Sequence, residues 1–252
     1  MAVMDEFKEE RERMKSQPFK ERLAYFWDYY KWHVLATVAI ICCVVSYAYN
    51  MITAKDISLH VALIDCYCNE ESVEEYQKEL IDSMGLNPKK QTVLLDNSFL
   101  FSSADTMEHS MEEVFSLKVI AKEIDVMLSH EDIFDRYVQN DIFVDLRDYL
   151  SPEQLEYYQD SFYYVDYAII ESEAIYNTDF AENPFVDNAN HRSPEGMEKP
   201  IPVGIYVTGT EDFQGHYYFV NKSQEVVFGL MYYVEDPSYA LQFLDNMSGR
   251  VE

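Results

Sequence analysis

The side chains best suited to chemistry lie far apart in this chain. Cys66 and Cys68 stand two apart in "DCYC" (65–68), so on a strand both point to one face. A disulfide between such near neighbours is strained. The spacing is not C-x-x-C, and no His/Cys cluster nearby completes a zinc site. The pair reads as two small residues on a buried strand face. "HED" at 130–132 is not the H-E-x-x-H zinc motif, because Phe134 stands where the second histidine belongs. His130, Glu131 and Asp132 instead open a helix, where acidic side chains complement the positive end of the dipole. His60, His109, His191 and His216 are isolated in sequence. The seven glycines form no G-x-S-x-G, G-x-G-x-x-G or Walker loop. "MEEV" (111–114) and "DNAN" (187–190) lack the D-x-[DN]-x-[DN]-G spacing of a calcium loop. No metal or other cofactor is indicated. An enzyme would need a site assembled from residues distant in sequence.

Those residues follow a stretch of another kind. "KWHVLATVAIICCVVSYAYNMITAK" (31–55) holds no charged side chain between Lys31 and Lys55. The 19 residues Val34 to Ile52 make a helix of about 28 Å at ~1.5 Å per residue, close to the ~30 Å apolar core of a bilayer. A signal-peptide apolar region is shorter, about 7–15 residues, and here 31 residues precede Trp32. A lipoprotein tether needs a small residue before its cysteine, but Cys42 follows Ile41. Ser46 and Ala48 form only a weak small-x-small cleavage site. A retained transmembrane helix over 33–53 is the expectation. Lys15, Lys20, Arg22 and Lys31 lie close on its N-terminal side and only Lys55 on the other. This places the N-terminus in the cytoplasm and the C-terminal domain outside the cell. Residues 1–32 read as a cytoplasmic or interfacial segment with an aromatic belt at Tyr25, Phe26, Trp27, Tyr29, Tyr30 and Trp32. Phe19, Leu23, Phe26 and Tyr30 recur at helical spacing, which suggests a short amphipathic helix on the inner membrane face before the chain turns in.

Charge separates the two sides. Residues 1–32 balance seven basic against seven acidic side chains, so the remaining 12 basic and 39 acidic residues carry the whole net charge of −27. A domain this acidic repels nucleic acid and anionic phosphates. Residues 55–252 suffice for one substantial core.

The elements that must position the chemistry alternate. Strands are expected over 57–68, 91–101, 124–129, 161–172, 200–208 and 216–221. Helices are expected over 70–86, 103–123, 130–142, from Pro152 behind Ser151 as N-cap, over 227–233 and over 237–247. Val73, Tyr76, Leu80 and Met84 share one face of the first helix. Met107, Met111, Val114 and Leu117 or Lys118 share one face of the second. Residues 177–200 have turn residues without period and read as a flexible loop. This order implies an α/β fold, a sheet with helices on its faces.

"AKEIDVMLSHEDIFDRYVQNDIFVDLRDYLSPEQ" (121–154) resembles the extracytoplasmic solute-binding proteins of ABC importers. The likeness rests on Asp125 and Val126 in a short strand, Phe134 and Tyr137 in the next helix, and Phe143, Asp145 and Leu146 before the one after. "KPIPVGIYV" (199–207) resembles the returning strand of the same lobe, and "VVFGLMYYVEDPSYALQFLDNM" (226–247) its late helices. The resemblance implies a domain like one lobe of a periplasmic-binding-protein-like fold. The chain is short for two lobes, and one lobe cannot close on a solute by hinge motion. It also departs from the family in keeping a span.

Ligands in α/β sheets gather outside the carboxyl ends of parallel strands. The first strand ends at Asp65, Tyr67 and Asn69. The second leads into Ser102, Ser103 and Asp105, and the third into Ser129, His130 and Glu131. The resemblance implies that these loops contact solute. The competing role for Ser103 or Asp105 and Ser129 is helix capping. The expected protein is a membrane-anchored binding or interaction module facing outward, whose partner is a small solute or another extracytoplasmic or membrane protein.

Overall fold

The computed structural model describes residues 18–69, 71–101, 108–172, 190–220 and 225–250. The chain divides into two units at the Ala54–Lys55 junction.

The first unit contains one helix, α1, Phe19–Thr53. Its stretch Tyr30–Thr53, 24 residues, is long and apolar enough to cross a membrane. The hydroxyls of Thr37 and Thr53 donate back to the carbonyls of His33 and Tyr49, so these polar groups are satisfied inside the helix. The expected break between an amphipathic helix and the span is absent, because α1 runs unbroken through 19–53. No proline or glycine lies between Phe19 and Thr53 to interrupt it. The side chains of Phe19, Leu23, Tyr25, Phe26 and Tyr29 lie outside the described part.

The second unit is a mixed α/β domain. Its strands are β1 (Asp56–Leu63), β2 (Cys66–Cys68), β3 (Gln91–Asp96), β4 (Val126–His130), β5 (Phe162–Asp166), β6 (Pro200–Val207), β7 (Tyr217–Phe219) and β8 (Val226–Leu230). Its helices are α2 (Val73–Ser83), α3 (Glu108–Ile120), α4 (Glu131–Val138), α5 (Pro152–Tyr158), α6 (Tyr167–Glu171), α7 (Glu211–His216) and α8 (Ser238–Ser248). Six strands form one sheet in the order β3-β1-β4-β8-β6-β5, and β2 pairs with β7 in a separate ribbon. β1, β3 and β4 are parallel, and the remaining pairings of the large sheet are antiparallel.

Local signals explain several elements. Tyr76 and Leu80 bury from α2, as their spacing predicts. α4 buries Ile133, Phe134 and Val138 on one face. Ser151 caps α5 in a full capping box with Gln154, with Pro152 at the first helical position.

Tertiary context overrode the sequence pattern elsewhere. The expected helix over 227–233 is a strand, β8, between β4 and β6, with all five of its residues buried. A strand covered on both faces shows no alternation, so its apolar run has no period to separate it from a helix. Gly229 admits the stacked rings of Phe134 and Phe143, since a Cβ there would lie 2.6 Å from each. Of the stretch 226–247 expected to be helical, only the second half is, as α8. The expected strand 57–68 divides at Asp65, whose φ of 51° turns the chain from β1 into the ribbon. The strand expected over 91–101 stops at Asp96. That expected over 161–172 stops at Asp166, whose carboxylate accepts the Ala168 N–H and starts α6. On α3 Phe115 is buried, and Met111 packs against the core as its spacing predicts, while Val114 and Leu117 face solvent. Met107 lies outside the described residues. Of the expected loop 177–200, residues 177–189 lie outside them as well.

Candidate functional site

From β1 the chain moves to β3 on one side, then crosses back to β4 on the other. Ligand crevices of open α/β sheets form at such a switch point, outside the carboxyl ends of the parallel strands. The structure brings Asp65, Ser129, His130 and Glu131 together at this end of β1 and β4, where the Ile64 N–H donates to the Leu128 carbonyl at 2.8 Å.

The β2–β7 ribbon continues directly from this place. The Val220 N–H donates to the Asp65 carbonyl and the Asn69 N–H to the His216 carbonyl. The His130 ring meets Phe219 of β7 edge-on, at 5.5 Å between centroids. Asp65, Ser129 and His130 are consequently buried.

Most of the predicted residues also hold the fold together. The Asp65 carboxylate accepts the Phe101 N–H at 2.6 Å, and its own N–H donates to the Phe99 carbonyl. This joint sets Phe99 and Phe101 edge-on to Phe115 of α3. The Asn69 side chain and carbonyl accept N–H groups of Glu71, Ser72 and Val73 just before and at the start of α2. Ser129 is not a helix cap, contrary to that reading. β4 runs one residue further, pairing His130 with Val226, and the Ser129 hydroxyl donates to the His130 carbonyl. His130 occupies the cap position of α4 without a side-chain cap bond. Its ring is 3 % exposed, and neither nitrogen has a hydrogen-bond partner among the described residues. Glu131 accepts the Tyr206 hydroxyl at 2.6 Å. Tyr67 and Asn69 are the exposed members of the set among the described residues, and Tyr67, 43 % exposed, pairs across the ribbon with Tyr218, 44 % exposed, at 5.9 Å. Ser102, Ser103 and Asp105 lie outside the described residues.

Two polar clusters had no signal in the sequence, because each joins residues far apart in the chain, such as Lys118 with Asp96 and Tyr206 with Glu131. In the first, His60 Nδ1 donates to the Glu123 carbonyl at 2.7 Å, and Nε2 faces Asp96 Oδ2 at 3.4 Å. Lys118 and Ser98 also donate to Asp96. In the second, Tyr163 donates to Asp135, and the His191 ring stacks on Tyr163 at 4.3 Å. Arg192 lies 3.8 Å over the Tyr206 ring and pairs with Glu225. Burial, reinforced by Asp135, pushes the Tyr163 hydroxyl far above its ordinary range, and burial together with Glu131 does the same to Tyr206. Both phenols are therefore hydrogen-bond donors and not bases.

The chemistry available is limited. Burial, then the neighbouring Cys68, pushes the Cys66 thiol up, which keeps it protonated and unreactive. Cys66 and Cys68 are free thiols. Among the described residues no group of three His, Cys, Asp or Glu side chains is arranged to hold a metal ion. A groove of about 580 Å³ lies at the other end of the sheet, beside Asp141, Asp145, Arg147, Tyr167 and Lys199. Its cations are already paired, Arg147 with Asp145 and Lys199 with Glu171. What the strand-end region presents outward is the tyrosine pair of the ribbon.

No protein-family model matches this chain, and no curated protein or solved structure matches it.

Proposed function

We propose that this chain is a single-pass, membrane-anchored binding module. Its acidic α/β domain stands outside the cytoplasm and takes a partner on the tyrosine face of the β2–β7 ribbon, without catalysis. The observation that carries the reading is α1, whose apolar stretch Tyr30–Thr53 leads through two residues into a separately packed domain. The imbalance of nearby basic residues supports the N-in orientation. The three-strand parallel core β3-β1-β4 is in keeping with one lobe of a solute-binding-like fold. A strand end filled by the ribbon favours recognition on the ribbon's outer face. Tyrosine suits such a face, because its ring offers a large contact area at low entropic cost and its hydroxyl a hydrogen bond.

Anchoring and orientation are tested together. An impermeant thiol reagent applied to intact cells labels Asn188→Cys and misses Ser16→Cys, and the chain stays with membranes after a high-salt wash. A soluble form beginning near Tyr49 would mean a cleaved signal sequence. The reverse labelling pattern would overturn the orientation. Binding is tested by a thermal-shift screen with peptides, amino acids, sugars and divalent ions. Tyr67→Ala then weakens the binding of any hit while leaving the melting temperature of the free protein unchanged. Loss of thermal stability with intact binding would make Tyr67 a structural residue.

A further inference from the structure

The domain is short of cations, and most of those it has are paired. Arg136, Arg147, Arg192, Arg250, Lys118 and Lys199 each meet a carboxylate. Lys78 and Lys122 do not, and neither does the trio of Lys55, Lys89 and Lys90. All three are exposed and make no ion pair among the described residues, although the chain carries 46 acidic side chains.

The sheet brings these three together. β1 and β3 pair in parallel with Asp56 opposite Gln91, so Lys55 and Lys90 stand side by side at the strand starts, at the ~4.8 Å spacing of neighbouring strands. The Asp56 N–H donates to the Lys90 carbonyl at 2.7 Å. The turn bearing Lys89 and Lys90 is held firmly. The Lys89 N–H donates to the Asn87 side chain, and the Lys90 and Gln91 N–H groups donate to the Asn87 carbonyl. The Gln91 side chain accepts the Asn87 N–H and donates to Ser58 on β1. Like charges in adjacent cross-strand positions repel, and among the described residues no carboxylate forms an ion pair with them. Beside them Ile57 is an exposed apolar side chain. Only Ala54 and Lys55 separate the last residue of α1 from the first of β1.

We infer that the corner formed by Lys55, Lys89 and Lys90 is a docking surface for anionic lipid headgroups of the bilayer that α1 crosses. The inference rests on the anchoring reading above. Headgroup phosphates supply the counter-charge that the domain withholds, and Ile57 meets the interfacial layer. Elsewhere the domain's excess of carboxylates repels the same surface, so the contact fixes which end faces the membrane.

The test uses the full chain in nanodiscs of phosphatidylcholine alone or mixed with phosphatidylglycerol. Lysine reactivity toward an amine reagent is read by mass spectrometry. Lys89 and Lys90 react about five-fold more slowly in the anionic discs, and high salt removes the difference. Lys78, exposed on α2, serves as the internal reference and reacts equally in both. In the Lys89→Glu/Lys90→Glu variant, Lys55 loses its lipid dependence. Equal reactivity of Lys89 and Lys90 in the two lipids overturns the inference while leaving the anchor intact. Lipid-dependent protection of Lys55 that survives the charge reversal also overturns it, since the tether alone then explains the effect. A chain that fails to remain in the discs removes the anchor and this inference with it, and that failure is read by disc retention, separately from lysine reactivity.

Discussion

His60 and His191 are two buried histidines in similar local settings with opposite outcomes for the carboxylate beside them. Each lies against a backbone carbonyl through Nδ1, that of Glu123 at 2.7 Å or Tyr164 at 2.8 Å. Each turns Nε2 toward an aspartate, Asp96 at 3.4 Å or Asp135 at 4.0 Å. Burial raises both carboxyl groups. At Asp96 the donors His60, Ser98 and Lys118 overcome it and hold the carboxyl well below the usual range. At Asp135 burial prevails over the Tyr163 hydroxyl and the neighbouring His191, helped by Glu131 and Asp132 on the same helix, and the carboxyl is raised. A His–Asp approach therefore does not set the charge of the pair. The other groups around each carboxylate decide it, here Lys118 from the last turn of α3 at Asp96, against burial and two further acids of its own helix at Asp135.

The largest test removes the strongly held partner. Asp96→Ala leaves His60 and Lys118 facing an empty site and lowers stability by about 2–3 kcal/mol, measured by urea unfolding of the full chain in detergent. That is below the ~3–5 kcal/mol of a fully buried pair, because the Lys118 side chain is 29 % exposed. A loss no greater than that of a surface substitution would erase the contrast.

A smaller effect follows at the second histidine. His191→Phe keeps a ring over Tyr163 but loses the bond to the Tyr164 carbonyl, costing about 1 kcal/mol in the same assay. Asp135→Asn keeps an oxygen to accept from Tyr163 and removes a disfavoured charge. It changes stability by less than about 1 kcal/mol at neutral pH, in the stabilising direction. A marked loss in this variant would show that the ionised form is the one the site holds.

The finest test is the pH dependence, and its sign differs between the two sites. Asp96 has a depressed folded value, so its contribution is present above the unfolded value of about 3.9 and is lost as pH falls below it. Asp96→Asn therefore flattens the acid limb of the urea-midpoint profile. Asp135 has a raised folded value, so its contribution is full below about 3.9 and is lost as pH rises through the folded value. Asp135→Asn thus converges with the natural protein in acid and exceeds it at neutral pH.

Much of the candidate site was legible as position and little of it as role. The strand ends at Asp65 and His130 follow from turn residues and apolar runs, and the structure brings them together. That Asp65 would turn inward to hold Phe101 could not be read, because its partner lies 36 residues away. Tyr67 faces solvent beside Tyr218, but the pairing of two three-residue strands leaves no pattern in either. Helix α3 shows the limit of periodicity. Val114 and Leu117 repeat as a buried stripe should, yet Phe115 takes the interior, where a ring removes more apolar area from water.

The sequence alone determined what depends on near neighbours. The uncharged run of α1, the Ser151–Gln154 capping box and the inward face of α4 each rest on side chains within a few turns of one another. The tertiary structure decided which distant residues meet. Val226–Leu230 is a strand because β4 and β6 offer backbone partners on both sides. His60 faces Asp96, and Lys55 stands beside Lys90, because β1 and β3 are neighbours in register. Capping and helical period act over a few residues, whereas strand order is set by how the whole sheet buries its faces, and only that order fixes where each charge finds its counter-charge.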